Sequence, residues 1–113
     1  MQTTIQEKGQ VKIAIITPAG SMTSHMFYEE LDRVFKDMIN QDIIKVIVDL
    51  KNVGQITAPG LGQLIGWHNA FAKHGGRMLL INVNRPITHL FLITKLSLIF
   101  EIMENMEAAI QAI

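Results

Sequence analysis

The stretch Ile47-Val48-Asp49-Leu50-Lys51-Asn52-Val53, followed by Thr57-Ala58-Pro59-Gly60-Leu61-Gly62, decides how the chain is read. Ile43 to Leu50 is a nearly continuous apolar run interrupted by Lys45 and Asp49, as expected of a central strand covered on both faces. Asn52 to Gly60 reads as a loop. Pro59 stands where a helix would begin, a position that tolerates proline because its missing N–H would have no intrahelical acceptor. Leu61, Leu64, Ile65, His68, Phe71 and Ala72 then recur at helical spacing, and Gly75-Gly76 ends the helix. Met78 to Val83 is a second buried strand. A strand, a helix and a strand in that order form a parallel crossover unit.

Toward the N-terminus, Thr3 to Glu7 reads as a short strand, Lys8-Gly9-Gln10 as a turn, and Val11 to Thr17 as a β-branched strand with Val11, Ile13 and Ile15 on one face. Pro18-Ala19-Gly20 breaks it, and Ser21 to Ser24 offers helix N-caps. Phe27, Leu31, Val34, Phe35, Met38 and Ile39 form one stripe of an amphipathic helix. Toward the C-terminus, Arg85-Pro86 opens a short helix with Ile87, Leu90 and Phe91 inward. Leu98 to Ile102 is expected as a last short strand, and Met106 to Ile113 as a closing helix. The order β β α β α β α β α predicts an α/β fold, a small mixed sheet of about four to five strands flanked by about four helices.

Composition narrows the function classes. The 113 residues suit one domain, residues 1–113, and 49 % apolar with 18 % charged residues predicts a packed core. Cysteine is absent, which excludes disulfides, thiolate metal sites and cysteine nucleophiles. The apolar runs are too short to cross a membrane, and residues 1–8 lack the order of a signal peptide, so a cytoplasmic protein without membrane insertion is expected. Ten basic and ten acidic side chains cancel, giving no case for nucleic acid. The charges are nevertheless segregated: Met1 to Asp49 has five basic and seven acidic residues, Leu50 to Phe100 five basic and none acidic, and the tail adds Glu101, Glu104 and Glu107. Buried strands and chance account for this pattern, or the acid-free segment faces something anionic.

No constellation assembles an active site. Gly60, Gly62 and Gly66 loosely match a dinucleotide fingerprint, but the spacing is GxGxxxG, the preceding loop is long, and Asn82-Val83-Asn84 offers no acid for a ribose. Glycines that let the helix pack close to its sheet are the plainer reading. Ser21, Ser24 and Ser97 lie outside any GxSxG, and His25, His68, His74 and His89 lack zinc-ligand spacing, so no metal or other cofactor is expected. His68 reads as a satisfied core or boundary histidine, and His74 as a favourable charge at a helix C-terminus. Trp67, the sole tryptophan, falls off the apolar stripe: it is either an exposed hot spot or a partly buried boundary residue. The chain reads as a binding module, not an enzyme.

The two opening segments, with Gly75-Gly76-Arg77-Met78-Leu79-Leu80 and the tail Leu90-Phe91, Leu96, Phe100 and Glu107-Ala108-Ala109-Ile110, resemble the STAS domain (sulfate transporter and anti-sigma factor antagonist) over nearly the whole chain. The resemblance implies a cytoplasmic bacterial antagonist that captures an anti-sigma factor, usually a serine kinase of the histidine-kinase-like ATPase fold. It also implies a switch, phosphorylation of a serine in Asp-Ser-Ser-Gly at the start of the helix after the central strand. Here Thr57-Ala58-Pro59-Gly60 stands in that place. Pro59 occupies the phosphoacceptor position without a hydroxyl. Thr57 is a helix cap worth about 1 kcal/mol or a shifted phosphoacceptor. Lys95 replaces a family glycine. Partner binding is expected at Thr57, Ala58, Pro59, Gly60, Gln63 and Trp67, with the Ser21 to Ser24 loop nearby.

Two other functions stay open from the sequence. An accessory subunit of an ABC-type transporter would share the fold and bind another ATPase. A nucleotide or small-anion sensor would use the helix start at Pro59 and Gly60. A swapped or strand-paired homodimer also stays open, because the first hairpin leaves a sheet edge.

Overall fold

A computed structural model describes residues 2–22 and 25–113. The strands are β1 (Gln2–Lys8), β2 (Val11–Thr17), β3 (Ala19–Met22), β4 (Lys45–Asp49), β5 (Asn52–Ile56), β6 (Arg77–Ile81) and β7 (Glu101–Met103). The helices are α1 (His25–Asn40), α2 (Ala58–Lys73), α3 (Arg85–Ile93) and α4 (Met106–Ala112). Five strands form a mixed sheet in the order β1-β2-β4-β6-β7, antiparallel only between β1 and β2. The expected α/β architecture is present.

Strand alternation sorts the core into two layers. Ala14, Ile16, Val46, Val48, Met78 and Leu80 point to the side covered by α1, α2 and α3. Ile13, Ile15, Ile47, Leu79 and Ile81 point the other way and are sealed by the short α4 through Ala109 and Ile113. On α1 the predicted stripe is buried at Leu31, Phe35 and Met38, with Val34 and Ile39 packed against it. The side chain of Phe27 lies outside the described residues, as do Thr23 and Ser24 of the proposed capping loop and the side chain of Ser21.

Three segments differ from expectation. Ala19–Met22, expected as a break followed by helix caps, is strand β3. Asn52–Ile56 is a strand, paired in parallel with β3 as a separate two-stranded ribbon, rather than a loop. Its buried residues, Val53 and Ile56, are three apart and so show no strand period. The pairing comes from β3, a partner more than thirty residues distant, and overrides weak local propensity. The last strand is Glu101–Met103 and not Leu98 to Ile102, because Leu96–Leu98 forms a single 3-10 turn that tucks Leu96 and Phe100 into the core.

The helix ends follow local chemistry. Past α2, Gly75 adopts φ +77°, its N–H bonds Ala72 O at 3.0 Å, and Gly76 N–H bonds Phe71 O at 2.7 Å, the two bonds of a Schellman ending. The α3 ending places Lys95 at φ +62°, where its N–H bonds Leu92 O at 3.1 Å. A left-handed lysine costs about 1–2 kcal/mol, part of which glycine would return through greater freedom in the unfolded chain. Lys95→Gly is therefore expected to raise stability by about 0.5–1 kcal/mol. A urea midpoint at or below that of the wild type would contradict this.

At the start of β6, the Arg77 guanidinium holds Glu101 of β7 in a forked pair, with Nε at 2.8 Å and 3.0 Å from the two carboxylate oxygens. This hydrogen bonding holds the Glu101 carboxyl below its ordinary range and raises Arg77.

Candidate functional site

The candidate site lies at the carboxyl end of β4, where the chain turns through Leu50 into β5 and enters α2. Asp49 closes β4 and is buried. Its Oδ1 accepts the Lys51 backbone N–H at 3.0 Å and the Asn82 side-chain amide at 3.1 Å, while the Lys51 ammonium lies 3.8 Å from Oδ2. One carboxylate thus joins the β4–β5 turn to the end of β6. Asn84 does similar work one step on. Its side-chain Oδ1 caps α3 by accepting Ile87 N–H at 2.9 Å, and its side-chain amide donates to Val53 O and Gly54 O, each at 3.3 Å. The loop leading to α2 is therefore braced from the sheet and from α3. Between them a cavity of about 160 Å³ is lined by Gln55, Ile56, Thr57, Pro86, Ile87 and Leu90.

Thr57 occupies the N-cap position with extended backbone (φ −92°, ψ 172°), but its side chain makes no capping hydrogen bond. The expected cap is thus positional, and its backbone carbonyl accepts Leu61 N–H at 2.9 Å. Ala58 is the first helical residue and Pro59 the second, one place later than expected and still within the turn whose N–H groups have no intrahelical acceptor. Ala58, Pro59 and Gln63 are exposed, Thr57 is half-buried, and Gly60 is buried. A Cβ at Gly62 or Gly66 would meet nothing within 4 Å. Contrary to the sequence reading, these two glycines do not draw α2 onto the sheet. They are exposed, as are Pro59 and Gln63, and Gln63 and Gly66 also line a groove of about 210 Å³ shared with Asp32 and Lys36 of α1.

Trp67 corrects the reading of an exposed hot spot. It is 4 % exposed, packed on Phe35 of α1 with ring centroids 4.6 Å apart, and its Nε1 donates to Asp32 Oδ1 at 3.1 Å. Asp32 also pairs with Lys36 at 2.8 Å, and its carboxyl is lowered, chiefly by that hydrogen bond. The apolar arc of α2 is wider than its stripe because α2 packs on both the sheet and α1. Ala72 is correspondingly exposed. His68 is half-buried, at the boundary position expected, and edge-on to Phe100 with centroids 5.8 Å apart, while its Nδ1 meets no protein partner. His74 caps α2, with Nδ1 2.8 Å from Ala70 O.

Sequence reasoning missed Asp49, Asn82 and Asn84 as the braces of this site. A lone acid closing an apolar run was the available signal, since a buried carboxylate requires partners. Among the described residues no group of three His, Asp or Glu side chains is placed to hold a metal ion, and no helix is long and apolar enough to cross a membrane.

The sequence profile of the STAS domain family matches residues 3–109. This chain belongs to the STAS family. No curated protein matches this STAS domain by sequence. Its fold is similar to that of a candidate anti-sigma factor antagonist from Thermotoga maritima, with TM-score 0.78, 18 % identity and coverage of 97 % of this chain and 92 % of that one. It is also similar to an anti-sigma factor antagonist from Mycobacterium paratuberculosis, with TM-score 0.74, 17 % identity and coverage of 98 % and 92 %. A third similar structure is the Bacillus cell fate determinant SpoIIAA in its phosphorylated form, with TM-score 0.68, 16 % identity and coverage of 98 % of each chain. At these identities the likeness is one of fold.

Proposed function

We propose that this STAS domain is a non-enzymatic cytoplasmic module that captures an anti-sigma factor, a serine kinase of the histidine-kinase-like ATPase fold, and that it lacks the phosphorylation switch at the start of α2. The observation that carries this reading is Pro59, exposed on the first turn of α2 with no hydroxyl to accept phosphate. Ala58 beside it has none either. Ala58, Pro59, Gln63 and the two glycines are all exposed, and the glycines leave the helix backbone open to a partner. The braces from Asp49 and Asn84 pre-order the entry loop, which lowers the entropy lost on docking. Phosphate at such a face adds about −1.5 to −2 charges at pH 7 and resists burial under a partner.

The test uses a serine kinase of that fold recovered on the wild-type protein from native extract. Incubated with this kinase and ATP, the wild type keeps its mass, while Pro59→Ser gains one phosphate and then releases the kinase. Expected retention falls at least about tenfold, as one desolvated charge at an interface implies. Phosphate on wild-type Thr57, with release of the partner, would overturn the reading. Isothermal titration with GTP and ATP separates it from a nucleotide sensor, which would give heat.

A further inference from the structure

The geometry points to a second copy of this chain as the occupant of the free edge of β1, in an antiparallel pairing centred on Ile5. The sheet ends at β1 on one side and at β7 on the other. Natural edges are usually blunted by shortness, proline, bulges or charge. At three residues β7 is short, whereas β1 has seven, an unbroken register with β2 and no proline. Residues 3–8 are all exposed.

The hairpin turn fixes which backbone groups of β1 face outward. Gly9 has φ +65° and Gln10 lies outside the left-handed region, as in a type II′ two-residue turn. Lys8 and Val11 then flank the turn as a hydrogen-bonded pair. Alternation gives the same inward role to Gln6, Thr4 and Gln2. The N–H and C=O groups of Thr3, Ile5 and Glu7 therefore point away from β2.

A two-fold axis at Ile5 sets Ile5 against Ile5 and Thr3 against Glu7 as hydrogen-bonded pairs. Thr4 then faces Gln6, and Gln2 faces Lys8. Within β1 this is the only centre that engages all three outward residues of both copies. It opposes no like charges, whereas a centre at Glu7 would set Glu7 against itself. The side chains agree with the backbone. Ile5 lies opposite Ala14 and so shares the face of α1, yet it is 45 % exposed. It borders a groove of about 290 Å³ lined also by Val34, Met38 and Ile43, and by the polar Thr3, Asp37 and Gln41. The second Ile5 would cover this apolar border.

The whole chain provides the test. By sedimentation equilibrium the wild type is expected to dimerise at micromolar concentration, and Ile5→Pro to weaken the dimer at least tenfold. That proline removes an N–H pointing away from β2, a position edge strands tolerate, so the circular dichroism of the fold should persist. If Ile5→Pro does not fold, a cross-link decides. The chain has no cysteine, and a hydrogen-bonded pair sets Cα atoms about 5.5 Å apart, within disulfide reach. Oxidised Ile5→Cys should run as a covalent dimer, and Thr4→Cys should not. A wild type monomeric throughout the concentration series, leaving the edge to another protein's strand, would overturn the inference. Equal cross-linking of the two cysteine variants would also overturn it.

Discussion

Gly76→Ala is expected to destabilise the fold by about 3 kcal/mol, a large share of the roughly 5–15 kcal/mol that holds a domain together. The added Cβ would lie 2.1 Å from Ile44 O, 2.6 Å from Ile44 Cβ and 2.8 Å from the Ile44 carbonyl carbon. Two of these atoms are backbone, so no side-chain rotation relieves the clash. Retreat is blocked on both sides. Ile44 O accepts Arg77 N–H at 2.8 Å, a rung beside the β4–β6 pairing, and Gly76 N–H closes the Schellman ending on Phe71 O. Moving either strand breaks one of these bonds. Thermal unfolding should show a midpoint lower by about 12 °C. Gly75→Ala provides the comparison. Its φ of +77° penalises alanine by about 1–2 kcal/mol, but its Cβ would meet nothing within 4 Å. A Gly76→Ala protein as stable as the wild type would refute the close approach.

Trp67→Ala is expected to cost about 3–5 kcal/mol, the usual range for deleting a buried large aromatic. The indole is wedged between α1 and α2 against Phe35, which in turn meets Phe71 edge-on at 5.4 Å. Removing it opens a void that two helices cannot close without leaving the sheet. Trp67→Phe keeps most of the packing and loses the bond to Asp32, an expected cost of about 1–1.5 kcal/mol. The difference between the two variants measures packing against hydrogen bonding. It also tests where Trp67 acts. If Trp67→Phe is stable and still captures the proposed partner, the residue supports the fold beneath the proposed docking face. A stable Trp67→Phe protein that loses capture would restore the indole as a direct contact.

Trp67 also shows where sequence reading stops. Helical spacing relates a residue to the axis of its own helix, and on α2 it correctly placed Leu61, Leu64 and Phe71 inward. It carries no information about a second helix lying alongside. β5 was read as a loop for the same reason: its partner strand lies near residue 20, outside any local window. The charge pattern changes in space as well. Arg77 and Lys51 belong to a stretch of sequence without acids, yet they meet Glu101 and Asp49. The acid-free segment is therefore less basic in three dimensions than along the chain.

What the sequence determined by itself is periodic or covalent. Alternation put Ile13 and Ile15 on one face of β2, continuous apolar runs marked β4 and β6 as strands covered on both faces, helical stripes assigned the inner side of α1 and α3, and Pro59 carries no hydroxyl whatever the fold around it. The tertiary structure alone decided that Trp67 is buried, that Gly76 has no room for a side chain, and that Asp49 and Asn84 brace the entry to α2. The physical reason is range. Periodicity records the contact of each element with a generic apolar interior, whereas packing gaps and polar partners depend on which distant residues arrive there.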